Sequence, residues 1–181
     1  MTAIDRDGLH RGAKQVESPN CDERPPGAAV TLVVLHAISL PPGEFGGDAI
    51  ARLFTNRLDP AEHPSFPGLV SLRVSAHYLV RRDGELVQFV PVHRRAWHAG
   101  VSRWRGRGRC NDFSVGIELE GTDDRGFSEA QYAGLPDLVR ALRAALPLRE
   151  IAAHSDIAPG RKTDPGVRFD WPRLFADLAR A

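Results

Sequence analysis

Cysteine is scarce in this chain, since Cys21 and Cys110 are the only two among 181 residues. So few cysteines exclude a disulfide framework, and a reducing compartment is the simplest expectation. No apolar run approaches the ~20 residues that span a bilayer, and the opening MTAIDRDGLHRGAKQVESPN contains no apolar segment typical of a signal peptide. We therefore predict a cytoplasmic protein that does not associate with membranes.

An excess of charge of either sign is also missing. The 24 Lys and Arg residues and the 23 Asp and Glu residues leave a net charge of +1, whereas a general nucleic-acid binder is usually more basic. What the chain does have is 42% hydrophobic residues, enough to bury an ordinary core. The length fits one domain, predicted over 1–181 with residues 1–28 as an extended polar arm.

Hydrophobic patterning predicts both strands and helices. The run VTLVVL at 30–35 is continuous and β-branched, which is typical of a strand buried on both faces, and we expect it to end at His36. Further strands are expected at 74–80, 85–90, 113–120 and 151–153, and helices at 48–58, at 128–146 and after Asp170. This order predicts an α/β or α+β domain in which a mixed central sheet is flanked by helices.

Local signals refine these elements. Asp83-Gly84 predicts a hairpin turn, and Asp48 and Asp170 are candidate N-caps. The capping-box pattern that starts at Ser128 opens the long helix, where Pro136 predicts a kink or a late start.

Two histidines follow apolar strands and suggest a metal site. His36 and His154 each come directly after a predicted strand, and Asp164 lies in the loop APGRKTDPG. Strand ends beside loops are where α/β sheets place their sites. Two imidazoles and one carboxylate suit Zn²⁺ and leave a fourth position open, as in catalytic zinc sites. Taken singly, each histidine is better explained as a strand-end residue bonded to backbone.

Candidate acid–base and oxyanion groups lie near these positions. Glu118 shares its strand face with Gly116 and Glu120, so it is either part of a solvated face or a general base beside a metal, with Glu120 as its competitor. Lys162 could stabilise an oxyanion, although a solvated loop lysine is the commoner case.

Several other residues leave their interpretation open. His77 either lines a site or is a core histidine, while His93 and His98 are expected at the surface or in a pocket wall. The arginine-rich run 102–109 could bind phosphates or clamp carboxylates, or be a solvated basic loop. The adjacent arginines could activate the Cys110 thiolate, but no His–Asn/Asp partner in a known local pattern supports a cysteine protease.

Four long segments resemble one enzyme family. They are LHAISLPPGEFGG at 35–47, VSAHYLVRRDGELVQFVPVHRRAWHAGVS at 74–102, CNDFSVGIELEGTD at 110–123 and HSDIAPGRKTDPG at 154–166. They resemble the zinc-dependent N-acetylmuramoyl-L-alanine amidases, which include phage T7 lysozyme and peptidoglycan recognition proteins. Within that family they are most similar to the cytoplasmic enzymes of Gram-negative bacteria that act on 1,6-anhydro-N-acetylmuramyl peptides.

The resemblance implies a role for each matching residue. It implies one Zn²⁺ per chain, bound by His36, His154 and Asp164, with Glu118 and Lys162 as catalytic residues. It implies substrate-binding residues at Arg73, His77, Trp97 and Arg109. Ala37 departs from the asparagine common in the family, and Ser155-Asp156 departs from its usual Cys-Asn or Cys-Asp.

The reaction implied is hydrolysis of the amide between anhydro-N-acetylmuramic acid and L-alanine during cell-wall recycling, by a monomer acting on small muropeptides. Three alternatives remain: a muropeptide-binding module without activity, an enzyme acting on intact cell wall, and a nucleic-acid binder built on 103–109.

Overall fold

A computed structural model describes residues 3–180; the first two residues of the predicted arm and the last residue of the predicted domain lie outside this range. The strands are β1 Lys14–Gln15, β2 Cys21–Asp22, β3 Leu32–Ile38, β4 Tyr78–Val80, β5 Leu86–Gln88, β6 Arg95–Ala96, β7 Arg103–Trp104, β8 Arg107–Gly108, β9 Ser114–Glu120 and β10 Glu150–Ala153. The helices are α1 Ala49–Phe54, α2 Glu129–Ala145, α3 His154–Ile157 and α4 Trp171–Ala179, with a 3₁₀ helix at Cys110–Phe113.

The central sheet is mixed, as predicted. Its six strands have the order β1-β5-β4-β9-β3-β10. Strands β4, β9, β3 and β10 run parallel, while β5 is antiparallel to β4 across the turn at Asp83-Gly84. Because β9, β3 and β10 are neighbours and parallel, residues near their carboxyl ends meet at one edge of the sheet.

The two faces of β3 and β9 have different environments, because side chains alternate along a strand. One face packs against α2 and α4 in a core that includes Val33, Leu35, Val115, Ile117, Leu119, Leu135, Leu138, Val139, Leu142 and Leu174. His36 pairs with Glu118 across the two strands, and both side chains lie on the opposite face. The apolar layer therefore fixes the two polar side chains side by side.

Helix α2 begins as predicted. The Ser128 hydroxyl accepts from the Gln131 N–H, and the Gln131 side chain accepts from the Ser128 N–H. The helix continues unbroken through Pro136, so the predicted late start is wrong. At α4, the Asp170 carboxylate accepts from the Arg173 N–H, which confirms the predicted cap.

Three predicted boundaries are wrong. Strand β3 does not end at His36 but continues to Ile38, because pairing with β9 extends to Glu120. Helix α1 ends at Phe54, and Asp48 makes no capping hydrogen bond because its carboxylate pairs with Arg52. Residues 74–77 precede β4 without regular strand structure.

The N-terminal arm is built into the domain. Its strand β1 extends the sheet at β5, and β2 pairs with β6. Asn20 is buried and exchanges side-chain hydrogen bonds with Asn56. The Arg24 guanidinium donates to the carbonyls of Asn111, Val92 and Ser114. Within residues 3–180, no helix has the length and apolarity needed to cross a membrane.

Candidate active site

Two histidines and an aspartate converge at the carboxyl edge of β3 and β10. His36 lies on β3, and His154 is the first residue of α3, directly after β10. The Asp156 carboxylate accepts from the Ala153 N–H and thereby caps α3. Asp164 lies in the following loop, and its backbone carbonyl oxygen accepts from the Ser155 N–H at 3.0 Å. The structure thus brings together the predicted metal ligands.

The distances suit a tetrahedral metal ion. Nδ1 of His36 lies 2.9 Å from Nδ1 of His154, and Oδ2 of Asp164 lies 3.2 Å and 3.0 Å from these two nitrogens. Ligand atoms bound to Zn²⁺ at about 2.0–2.2 Å in tetrahedral geometry are roughly 3.3–3.6 Å apart. Outward shifts of a few tenths of an ångström would therefore accommodate the ion, and the donor set fits it.

The protonation states also suit a cation. Burial lowers the pKa of His36 to about 4, although the Asp164 carboxylate beside it acts in the opposite direction and raises it. Burial alone would raise the pKa of Asp164, but the neighbouring side chains of His154 and His36 outweigh burial and hold that pKa well below its ordinary value. Near neutral pH, His36 therefore offers a neutral imidazole and Asp164 a carboxylate, the forms that ligate metals.

The Nε2 atoms of His36 and His154, which point away from Asp164, also have hydrogen-bond partners. Nε2 of His36 lies 2.9 Å from Nδ1 of His98, and Nε2 of His154 lies 3.3 Å from the carbonyl oxygen of Ala99. His98, expected at the surface or in a pocket wall, is thus in contact with a proposed metal ligand. No spacing signal marks His98, because it lies in an irregular segment that only the tertiary fold brings beneath β3.

Glu118 stands beside these ligands and differs from Glu120. The Glu118 side chain is buried, and its Oε2 has no hydrogen-bond partner among the described residues. Burial, reinforced by Asp164 and opposed by Lys162, raises the pKa of Glu118 to about 8. The Glu120 carboxylate instead accepts from the N–H groups of Gly46 and Arg82. Of these two glutamates, only Glu118 has a carboxylate oxygen without a hydrogen-bond partner among the described residues.

Lys162 is exposed, in the loop between α3 and Asp164. Its charge lowers the pKa values of both Glu118 and His36, which places its electrostatic influence on the site. An exposed ammonium whose charge acts on the site is suited to stabilise an oxygen that gains negative charge.

Two predicted substrate-binding residues share one ion-pair network. Nε1 of Trp97 donates to Oδ1 of Asp22 at 3.1 Å. Arg95 pairs with Asp22 and, at 2.5 Å, with Asp112. Nε of Arg109 lies 3.2 Å from Asp112. The network connects the arm strand β2 to both Trp97 and Arg109.

A cleft of about 580 Å³ adjoins α3. Its lining includes Val101, Arg103, Arg109, Ile157 and Arg161. Arginines around an apolar floor can bind the carboxylates of a peptide.

The predicted role of His77 in substrate binding is not supported, because the residue is fully buried. Its Nδ1 accepts from the Gly116 N–H, and its Nε2 lies 3.1 Å from the Arg94 carbonyl. Burial and the charge of Arg24 lower the pKa of His77 to about 3. His77 is thus a core histidine. Arg73, by contrast, is exposed and donates to the Val70 carbonyl.

The arginine-rich run forms the hairpin β7–β8 rather than a free basic stripe. Arg105 pairs with Glu150, and the Arg107 guanidinium lies 3.9 Å from the centre of the Phe113 ring. Burial raises the pKa of the Cys110 thiol, which disfavours a reactive thiolate.

Comparisons with known proteins agree with this geometry. The profile of the N-acetylmuramoyl-L-alanine amidase family matches residues 26–167. The 1,6-anhydro-N-acetylmuramyl-L-alanine amidase AmpD of Escherichia coli K12 is 57% identical over 165 residues, which cover 90% of each protein.

Solved structures show the same similarity. A selenomethionine derivative of AmpD superposes with a TM-score of 0.94 at 53% identity, covering 97% of this chain and 98% of that one. The amidase AmiD of E. coli, in complex with anhydro-N-acetylmuramic acid-L-Ala-D-γ-Glu-L-Lys, superposes with a TM-score of 0.61 at 29% identity, covering 96% of this chain and 65% of AmiD.

Proposed function

The chain belongs to the N-acetylmuramoyl-L-alanine amidase family, and we propose that it hydrolyses the amide bond between 1,6-anhydro-N-acetylmuramic acid and the L-alanine of the stem peptide. The observation that carries this reaction is the convergence of His36, His154 and Asp164 beside a buried carboxylate with an unpaired oxygen, Glu118. The high identity to AmpD over nearly the whole chain supports the anhydro sugar as part of the substrate.

We assign one Zn²⁺ per chain to His36, His154 and Asp164. When bound, Zn²⁺ supplies Lewis acidity to a coordinated water and to the scissile carbonyl. Three protein ligands would leave a fourth position on the ion for water or substrate.

Glu118 is the proposed general base and acid. Its Oε2, which has no partner among the described residues, accepts a proton from the attacking water. The burial that raises the pKa of Glu118 also makes the carboxylate a stronger base than an exposed glutamate. The protonated carboxyl then delivers the proton to the alanine nitrogen as the amide bond breaks.

Lys162 is proposed to hold the negative charge that develops on the carbonyl oxygen. Trp97 offers a flat face to the sugar or its acetyl group, and Arg109 and Arg73 carry the charge to bind stem-peptide carboxylates. Trp97 and Arg109 are held in place by the Asp22–Arg95–Asp112 network.

We further propose that the protein works in the cytoplasm as a monomer, without nucleic-acid or membrane partners. The free thiols of Cys21 and Cys110 are compatible with a reducing compartment. The proposed metal ligands converge within one chain, which is compatible with a monomer.

The reaction is tested by its products. Zinc-loaded protein incubated with anhydro-muramyl-tripeptide in ¹⁸O-water should release free tripeptide, and the label should enter the new lactyl carboxylate. Mass spectrometry measures both. Release of tripeptide without label in that carboxylate would contradict hydrolysis at this bond, and binding without release would favour the non-catalytic module.

A further inference from the structure

A chain of hydrogen bonds leads from the metal ligand His36 away from the site. Nε2 of His36 lies 2.9 Å from Nδ1 of His98, and Nε2 of His98 lies 3.2 Å from Oγ of Ser114. The Ser114 hydroxyl donates to the carbonyl oxygen of Cys110 at 2.6 Å. The chain therefore ends on a group that can only accept a hydrogen bond.

Because the Cys110 carbonyl can only accept, it determines which group donates in each of the preceding hydrogen bonds. Because the only hydroxyl hydrogen of Ser114 is given to Cys110, its oxygen accepts from Nε2–H of His98. A neutral His98 with its proton on Nε2 has a lone pair on Nδ1. His36 must then donate through Nε2–H, so its own lone pair lies on Nδ1, the atom that faces His154 and Asp164.

The backbone next to His98 sets the tautomer of His154, the second proposed ligand, in the same way. The Ala99 carbonyl can only accept, so Nε2 of His154 carries the proton and Nδ1 faces the metal site. Oδ1 of Asn111 accepts from the N–H groups of both His98 and Ala99 and holds this segment in place. Residues 98 and 99 thus contact both imidazole ligands.

The neighbouring strand leaves room for this arrangement. A Cβ atom built on Gly116 would lie 2.4 Å from Cγ of His98, closer than side-chain contacts allow. Gly116 is therefore required where the His98 ring crosses β9, next to Ser114 on the same strand face.

We infer that His98 is a positioning residue for the metal: through Ser114 and Cys110 it sets the tautomer of His36, so that Nδ1 is presented unprotonated to the ion. The inference rests on the proposed zinc site. Groups that orient metal-bound histidines in this way typically change metal affinity by 10–100-fold when removed.

The test measures zinc affinity by competition with a chelator, using zinc alone as the probe. His98→Phe keeps an aromatic ring but has no acceptor, and it should weaken zinc binding by roughly 10–100-fold. His98→Asn places an acceptor oxygen where Nδ1 stood and should bind zinc within a few-fold of wild type. His93→Phe, at an exposed histidine of the same segment, is the matched control and should bind as wild type does.

Which of the two variants binds zinc more tightly distinguishes a hydrogen-bonding role of His98 from a packing role. Asparagine fills the space of the ring less well than phenylalanine, so a merely structural role predicts that His98→Asn is the weaker zinc binder. If His98→Phe bound zinc as tightly as wild type does, or more tightly than His98→Asn, the inference would be overturned while the zinc site itself remained intact. A wild-type chain that binds no zinc would overturn the proposed function itself.

A second variant and a second readout test the rest of the chain. Ser114→Ala removes the acceptor that orders His98, and it should weaken zinc binding by less than His98→Phe. In cobalt-substituted protein, the visible absorption of the metal should change in His98→Phe and not in His93→Phe. Unchanged cobalt spectra in His98→Phe and Ser114→Ala, with both proteins folded by thermal melting, would contradict a role at the metal.

Discussion

Replacing Glu118 by glutamine should stabilise the metal-free protein at alkaline pH. Glu118 is buried, and its burial next to Asp164 raises its pKa from 4.5 to about 8. Ionising this carboxyl therefore costs free energy in the folded chain that it does not cost in the unfolded chain. Glutamine has nearly the same shape and carries no charge, so Glu118→Gln removes this cost.

Proton linkage gives the sign and the size of this change in the free energy of unfolding. Between pH 4.5 and about 8 the folded state holds a proton on Glu118 that the unfolded state has lost, so wild-type stability falls as pH rises. At about 1.4 kcal/mol per pKa unit, the full difference approaches roughly 5 kcal/mol. The free energy of unfolding of Glu118→Gln, relative to wild type, should rise by up to this amount between pH 4.5 and 8.5.

Urea unfolding of both proteins in excess chelator, at intervals across this range, measures the effect. Glu120→Gln is the matched control, because it removes an acceptor oxygen from a carboxylate bonded to Gly46 and Arg82 and should destabilise the fold. Parallel stability curves for wild type and Glu118→Gln would refute the environment assigned to Glu118. In the zinc-loaded enzyme, Glu118→Gln should retain zinc while kcat falls by roughly 10²–10⁴.

His154→Ala removes a ligand, so metal analysis should find the zinc lost and turnover abolished; zinc retained at full stoichiometry would contradict the ligand assignment. Lys162→Ala should keep zinc and lower kcat by roughly 10²–10³, the size expected for one oxyanion partner, whereas a change in KM alone would assign Lys162 to substrate binding. Arg95→Leu breaks the network that holds Trp97 and Arg109, so steady-state kinetics should show a higher KM with kcat largely preserved; the reverse pattern would count against this network. Zinc affinity should also fall as the pH drops through about 4, where a proton competes with the metal for the His36 imidazole, and equilibrium dialysis showing constant affinity across that pH would disagree.

The sheet was predictable because its signals are local. The apolar run before His36 and the alternation along Ser114–Glu120 predict strands that the structure confirms. The capping box at Ser128 predicts the start of α2 correctly. Boundaries were less certain, because the continuation of β3 to Ile38 depends on pairing with β9, which no local pattern encodes.

The convergence of the proposed metal ligands was predictable in part. His36 lies on one strand and His154 directly follows its neighbour, so strand order alone brings them to one edge of the sheet. Asp164 reaches them through a short loop after α3. The choice between Glu118 and Glu120 depended on the resemblance to the family, and the structure supplies the physical reason in the hydrogen bonds that occupy Glu120.

The residues that orient the ligands were not predictable. His98 and His77 both lie in segments without regular secondary structure. The fold places His98 against His36 and buries His77 against Gly116. Their different roles follow from tertiary contacts between distant parts of the chain, which hydrophobic periodicity does not report.

Turnover of anhydro-muramyl-tripeptide with and without a chelator tests the central claim most directly, with free tripeptide read by mass spectrometry. We predict that wild-type protein releases tripeptide, that the chelator stops release, and that added zinc restores it. Undiminished release in excess chelator, with the protein shown to be free of metal, would contradict a zinc amidase built on His36, His154 and Asp164.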